Sequence, residues 1–339
     1  MTWKDRGELF VRYNRNPILT VDELSYRANS VFNPAAAIVD GKTLLLLRVE
    51  DHRGFSHFTV ARSKNGIDDW EIDGKPTFFP EPSKYPEEIY GIEAPRIAYM
   101  DELKMWAIVY TAFSDSGPLP ALALTEDFQT FERIGPVAPP DNKDAAIFPV
   151  SFNGKWAMLH RPAATGHTLK SNIWISFSPD MKAWGWHQVL FYAREGGWWD
   201  AYKIGLSPQP MYTPEGWLIM YHGVRQTTSK ISYRLGLVLL DLKDPRKVLR
   251  RSEGWVFGPH EWYERSGDVN DVVFPCGWVV VDGELRIYYG GADTSVSLAS
   301  AKMDDIMKYI LECPEEQCPV EHCRFFEGHR DRHSNPKKG

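Results

Sequence analysis

The chain has 339 residues, of which 43% are hydrophobic and 25% charged, and its net charge is −6. This acidic balance excludes a general nucleic-acid binder, which needs a basic footprint. No apolar run approaches the roughly 18 residues of a spanning helix, and Met1 to Asn16 is polar and charged rather than signal-like. A cytoplasmic protein with no membrane and no nucleic-acid partner is the expectation.

Thirteen Trp, fifteen Tyr and seventeen Phe favour β-structure and suit stacking against sugar rings. Four cysteines are too few for a disulfide scaffold of this length. Cys276 sits in an apolar run and reads as buried. Cys313, Cys318 and Cys323 recur near the C-terminus at a spacing that matches no standard zinc pattern, so they read as free tail thiols and no metal is expected.

Taken in order, the chain repeats one unit: a polar turn followed by an apolar run. It occurs at Asp40-Gly41-Lys42, then at Asp101 to Lys104, at Asn153-Gly154-Lys155, at Pro214-Glu215-Gly216 and at Asp282-Gly283-Glu284. Asn-Gly and Asp-Gly between apolar runs are strong hairpin signals. Before each turn lies another apolar run marked by Pro, as in Asn33-Pro34, Ala94-Pro95, Phe148-Pro149, Ser207-Pro208 and Phe274-Pro275. Further strands with a polar turn and an aromatic follow, to Trp70, to Phe131 and to Trp184. The fourth copy (Leu239 to Val248) is weaker, and the fifth (Leu298 to Ile310) drifts into a helix-like pattern. Units recurring at a period of roughly 50–70 residues predict an all-β, five-bladed β-propeller in a single domain, residues 1–310, with a polar tail over 311–339.

In a propeller the first strand of each blade lines the central channel, so polar residues at those strand ends converge on one pocket. The acids and amides so placed are Asn33, Glu50, Asp51, Glu93 and Asp293. The cations and proton-bearing groups are Arg48, Arg96, Lys143, Arg161, Lys203 and His222. Several basic side chains on one pocket of an acidic protein predict an anionic ligand, and phosphate fits them best. No Walker, dinucleotide-binding, Gly-x-Ser-x-Gly or His-Glu-x-x-His motif occurs, so no organic cofactor is expected. His160, His167 and His187 read as structural or exposed.

Several segments together resemble glycoside hydrolase family 130: Asn33-Pro34-Ala35, Arg48 to Asp51, Gly91 to Arg96, Leu159 to Pro162, Lys203-Ile204-Gly205, Gly216 to Val224, Gly267 to Cys276 and Tyr288 to Thr294. The resemblance spans about residues 12 to 310. It implies a five-bladed propeller and inverting phosphorolysis of β-mannosides, which gives α-mannose 1-phosphate with inorganic phosphate as co-substrate. It places phosphate at Lys143, Arg161, Lys203 and His222, and the mannosyl unit at Asn33, Arg48, Asp51 and Asp293; Tyr90, as an aromatic, and Arg96, as a channel cation, are further substrate-binding candidates. It is compatible with a homo-oligomer, and it leaves open the β-1,2 or β-1,4 linkage and the leaving sugar. At one place the chain departs from the pattern: the family's general acid is an Asp before Pro-Arg, and here that position is Ala94. A methyl group donates no proton, so the expectation is an inactivated general-acid variant. Glu93 is not expected to substitute, because strand neighbours point to opposite faces. A β-mannosidase and a non-catalytic sugar-binding propeller are the alternatives. Trp198 and Trp199 join Tyr90 as candidate sugar platforms.

Overall fold

The computed structural model describes residues 7–163, 170–229 and 231–315. A short strand, β1 (Val11–Arg12), comes first. Four strands then form the first blade: β2 (Ser30–Val39), β3 (Lys42–Glu50), β4 (Ser56–Ser63) and β5 (Glu71–Ile72). The second blade is β6 (Ile92–Met100), β7 (Met105–Ser114), β8 (Gly117–Thr125) and β9 (Glu132–Pro136). The third is β10 (Asn142–Phe152), β11 (Lys155–Pro162), β12 (Ile173–Ser178) and β13 (Gly185–Phe191). In the fourth, β14 (Lys203–Leu206) and β15 (Met211–Thr213) both pair with β16 (Gly216–Gln226), followed by β17 (Ile231–Leu240) and β18 (Val248–Arg251). The fifth holds β19 (Val273–Val281), β20 (Glu284–Gly291) and β21 (Ser295–Lys302), and β1 completes it by pairing Val11 with Ser300. All these pairings are antiparallel, so each blade is a meander. The fold is the five-bladed propeller that the repeat predicts.

Local chemistry explains the hairpins. Asp40-Gly41, Asn153-Gly154 and Asp282-Gly283 join the first two strands of their blades, with φ of 50° and 73°, 50° and 75°, and 51° and 77°. Two consecutive left-handed residues make the turn whose twist matches the strands, and Asn or Asp followed by Gly adopts it at least cost. Between blades the strands bury aliphatic and aromatic side chains. Leu44, Leu46, Ile97 and Ile108 join blades one and two, and Leu45, Leu47, Tyr288 and Leu298 join blades one and five. A short α1 (Trp262–Arg265) precedes blade five, and α2 (Met303–Glu312) follows it, burying Ile306 and Ile310 against blades four and five. No helix among the described residues is long and apolar enough to cross a membrane.

What positions the site is a break in the strand pattern. Phe32 pairs with Arg48 and Ala35 with Leu46, so one extra residue stands between them on β2. The same insertion lies between Glu93 and Arg96 on β6, and between Lys143 and Ala146 on β10. Asn33, Ala94 and Asp144, the residues at these bulges, have φ of 45°, 47° and 53°. A bulge re-aims side chains next to sites. Blade five has the same insertion on β19, where Pro275 and Cys276 stand between Phe274, paired with Gly290, and Gly277, paired with Tyr288. The repeat is therefore structural in four blades, but its Pro mark is not constant. In blade three the equivalent residues are Asp144-Ala145, whereas Pro149 falls in a second irregularity lower on β10. Blade four has no such shift between β14 and β16. Aligning Phe148-Pro149 with Ala94-Pro95 is thus corrected by the register.

Candidate active site

At one end of the channel lies a cavity of about 210 Å³ to which every blade contributes. Blade one gives Asn33 and Arg48, blade two Glu93, Ala94 and Thr111, and blade three Lys143, Asp144 and Arg161. Blade four adds Lys203, His222 and Tyr233, and the strand and loops of blade five add Phe274 and Asp293. Of the residues expected from sequence, the structure brings together Asn33, Arg48, Ala94, Lys143, Arg161, Lys203, His222 and Asp293.

The wall is electrically divided. Lys143, Arg161 and Lys203 stand on blades three and four with His222 beside them. Asp144 lies within this half, its Oδ2 accepting the Nε–H of Arg161 at 2.7 Å and lying 3.6 Å from His222 Nε2. Burial opposes ionisation of Asp144, but Arg161, His222, Arg96 and Lys143 outweigh it and hold the carboxyl well below its usual range. Burial drives the His222 imidazole down to about 3, so it is neutral here at neutral pH. Burial also lowers Lys203, with Arg161 adding repulsion and Asp144 opposing both. Gly205 on β14 makes the close approach feasible: a Cβ there would lie 2.5 Å from Asp144 Oδ2 and from His222 Cε1.

The other half is rich in acceptors. Arg48 donates its Nε–H to Ser56 Oγ at 2.9 Å, and its Nη2 reaches Glu93 Oε1 at 3.0 Å and Glu50 Oε2 at 3.5 Å. Its guanidinium lies 4.4 Å from the Phe32 ring centre. Burial raises the Asp293 carboxyl, against the pull of Arg48 and Asn33. Asn33 Oδ1 and Asp293 Oδ1 are sealed from solvent with no hydrogen-bond partner among the described residues. Buried acceptors without a donor are costly and rare. Gly290 leaves room for this pair, since a Cβ there would lie 2.0 Å from Asn33 Oδ1.

Four expectations are corrected. Glu93 and Ala94 both line the cavity, because the bulge interrupts the alternation that assigned them to opposite faces. Arg96 is not on the wall. It is 2% exposed, and its guanidinium donates to the carbonyls of Ser207 (2.9 Å), Ala94 (2.8 Å) and Leu206 (3.0 Å), which stitches blade two to blade four behind the site. Asp51 is also absent from the wall, because it caps its own turn by accepting from the backbone N–H groups of Arg53 (2.8 Å) and Phe55 (3.1 Å). Tyr90 stands outside the cavity between Phe55 and Phe113, donating to Asp115. Of the candidate platforms, Trp199 is core: it stacks on Tyr221 and fills the space over Gly223 and Gly236. Trp198 is 43% exposed and carries Arg194 against its ring at 4.7 Å.

Sequence reasoning missed Asp144, Thr111 and Tyr233. The signal for Asp144 was its place beside Lys143, hidden by the misaligned Pro. Tyr233 faces inward from β17, with Lys203 Nζ 5.4 Å from its ring centre. His160 is a satisfied core residue between Asn142 and Ser176, and His187 shares that Ser176. His167, Cys318 and Cys323 lie outside the described residues, while Cys313 is half-buried at the end of α2.

Fold and cavity together define a propeller whose channel mouth pairs a cation-rich half with an acceptor-rich half. The family model of glycoside hydrolase family 130, described as β-1,4-mannooligosaccharide phosphorylase, matches residues 11–312. A β-1,4-mannooligosaccharide phosphorylase of Ruminococcus albus is 35% identical over 91% of this chain and 94% of its own. A β-1,2-mannobiose phosphorylase of Listeria innocua is 33% identical over 88% of this chain and 98% of its own. The solved structure of the Listeria innocua enzyme with β-1,2-mannobiose superposes with a TM-score of 0.80 at 29% identity, covering 89% of this chain and 99% of that one. The chain belongs to glycoside hydrolase family 130.

Proposed function

We propose that this chain is the scaffold of an inverting β-mannoside phosphorylase whose general acid is missing at Ala94. Inorganic phosphate binds between Lys143, Arg161, Lys203 and His222. The mannosyl unit lies against Asn33, Arg48 and Asp293, with its anomeric carbon between the two halves. A phosphate oxygen attacks that carbon from the blade-three and blade-four side, the glycosidic bond breaks, and α-mannose 1-phosphate forms. The departing sugar oxygen needs a proton, and residue 94 faces the cavity at the place from which the acid delivers it.

The observation that carries this reading is the concentration of cations on one half of the cavity. An inverting hydrolase needs a second carboxylate to activate water. Here the carboxylate on the attacking side is Asp144, which is held so far toward its ionised form by Arg161 that it is a poor base. Phosphate already carries its negative charge and needs cations to place it. Cytoplasmic action suits a reaction that draws on inorganic phosphate. Residues 1–310 form its catalytic domain, and copies of the chain assemble, which sedimentation would show.

The deciding experiment is product analysis of the Ala94→Asp protein on β-1,2- and β-1,4-mannobiose, with and without phosphate. Mannose 1-phosphate formed only with phosphate supports the reading and identifies the linkage. Free mannose released without phosphate would make the enzyme a hydrolase. Binding of sugar with no product from either form would leave a sugar-binding propeller.

A further inference from the structure

The cation half of the cavity contains a carboxylate that a simple anion site does not need. Asp144 is 4% exposed, yet it lines the cavity among Lys143, Arg161, Lys203 and His222. A buried negative charge repels an anion bound next to it, so Coulomb's law alone makes its presence a disadvantage. Its hydrogen bonding suggests what it gives in return. A carboxylate offers about four acceptor sites. Among the described residues one is filled by a hydrogen bond, that from Arg161 Nε at 2.7 Å. Oδ1 lies 3.7 Å from Arg96 Nη2, beyond hydrogen-bond range, and that guanidinium already donates to three carbonyls. His222 is 3.6 Å from Oδ2. Asp144, which lines the cavity, therefore keeps unfilled acceptor capacity.

We propose that Asp144 makes this site select a proton-bearing oxyanion, hydrogen phosphate, over a fully deprotonated one of like size and charge, such as sulfate. The proposal rests on the phosphate reading given above. Near neutral pH phosphate keeps at least one proton and sulfate keeps none. A P–O–H group aimed at Asp144 forms a charge-assisted hydrogen bond. Sulfate in the same place sets an oxygen lone pair against a carboxylate lone pair, which leaves both unpaired in a buried site. Selection of this kind requires Asp144 to stay ionised. Of the groups facing it, the cations Arg161, Arg96 and Lys143 act in that direction, while His222 is neutral near pH 7. The bulge fixes its aim, and Gly205 leaves the space it occupies.

Titration calorimetry of the unaltered chain with phosphate, arsenate, sulfate and selenate tests this. Arsenate carries a proton and selenate does not, and their similar size removes fit as an explanation. Phosphate and arsenate are expected to bind roughly a hundredfold or more tighter than sulfate and selenate, as when a site built for a hydrogen bond meets an analogue lacking it. In Asp144→Asn the amide still accepts from Arg161 and now offers donors, so the preference is expected to shrink to about tenfold or less, chiefly through gain of sulfate and selenate binding. Equal affinity for arsenate and selenate in the unaltered chain overturns the proposal even if the variant does not fold. So does an unchanged preference in the variant. Failure of the unaltered chain to bind any of the four would instead bring down the phosphate reading.

Discussion

Ala94 and Asp144 occupy the same register position in consecutive blades. The residues before them, Glu93 and Lys143, pair with Thr111 and Arg161, and the second residues after them, Arg96 and Ala146, pair with Val109 and Leu159. Both have left-handed backbone, with φ of 47° and 53°, as does Asn33 at 45° in the preceding blade. Asn and Asp tolerate this conformation and Ala does not gain from it. The backbone at residue 94 thus suits an Asp better than the residue it carries.

Replacing Ala94 by Asp or Asn is accordingly expected to leave thermal stability unchanged or slightly raised. Ala94→Val, a β-branched residue, should lose about 1–2 kcal/mol. Denaturant titration of the three variants checks this apart from any activity. A large loss in Ala94→Asp would show that the position was never shaped for a carboxylate.

If residue 94 is the missing proton donor, the unaltered chain should still transfer mannose to phosphate when the leaving group needs no proton. With phosphate, 2,4-dinitrophenyl β-mannoside is expected to release dinitrophenolate and mannose 1-phosphate, while mannobiose is left almost intact. Ala94→Asp should accelerate the mannobiose reaction by roughly 10²–10⁴-fold, the usual contribution of a positioned acid, and barely affect the aryl mannoside. Equal acceleration of both substrates would argue against the role.

The Asp144–Arg161 pair gives a stability test with a definite sign. The Asp144 carboxyl is lowered in the folded protein. Its contribution is therefore present above the unfolded value, about 3.9, and is lost as pH falls toward the lower folded value. Arg161→Met leaves a buried carboxylate short of its principal partner and should cost about 3–5 kcal/mol at neutral pH. The deficit should shrink in acid as Asp144 takes up a proton. Urea denaturation of both proteins at pH 7 and at about pH 3, below the unfolded value, measures it, and a deficit independent of pH would contradict the pairing.

Lys203 is expected to set the alkaline limit of the proposed phosphate binding. Burial and Arg161 lower its ammonium, so binding is expected to weaken as pH rises before the ordinary lysine value of about 10.4 is reached. Lys203→Arg should extend the plateau upward, because guanidinium stays charged. Phosphate titrations from pH 7 to 10 decide between these profiles.

The fold was legible because its turns are chemical: Asp-Gly and Asn-Gly mark the hairpins of blades one, three and five, and the period between them marks the ring. The cation cluster was legible too, because Lys143, Arg161 and Lys203 stand at strand ends facing one mouth. What could not be read was orientation inside a bulge. Strict alternation assigned Glu93 and Ala94 to opposite faces, and one left-handed residue brings both to the cavity. The same device hid Asp144, since blade three builds its bulge from Asp-Ala where blades one and two use Asn-Pro and Ala-Pro. Arg96 was misread because a buried guanidinium that serves three carbonyls looks, in sequence, like one that serves a ligand.

The pairing of β1 with β21 makes the order of synthesis matter. The first strand of the described chain finds its partner in the last blade, where Val11 pairs with Ser300. At ribosomal rates on the order of 5–20 residues per second, β1 waits tens of seconds with its backbone unpaired. Blades one to four meet their partners locally and early, whereas blade five lacks its outer strand until the two ends of the ring are joined. Completion of the cavity, to which blade five contributes Phe274 and Asp293, is therefore a late event in the life of each nascent chain.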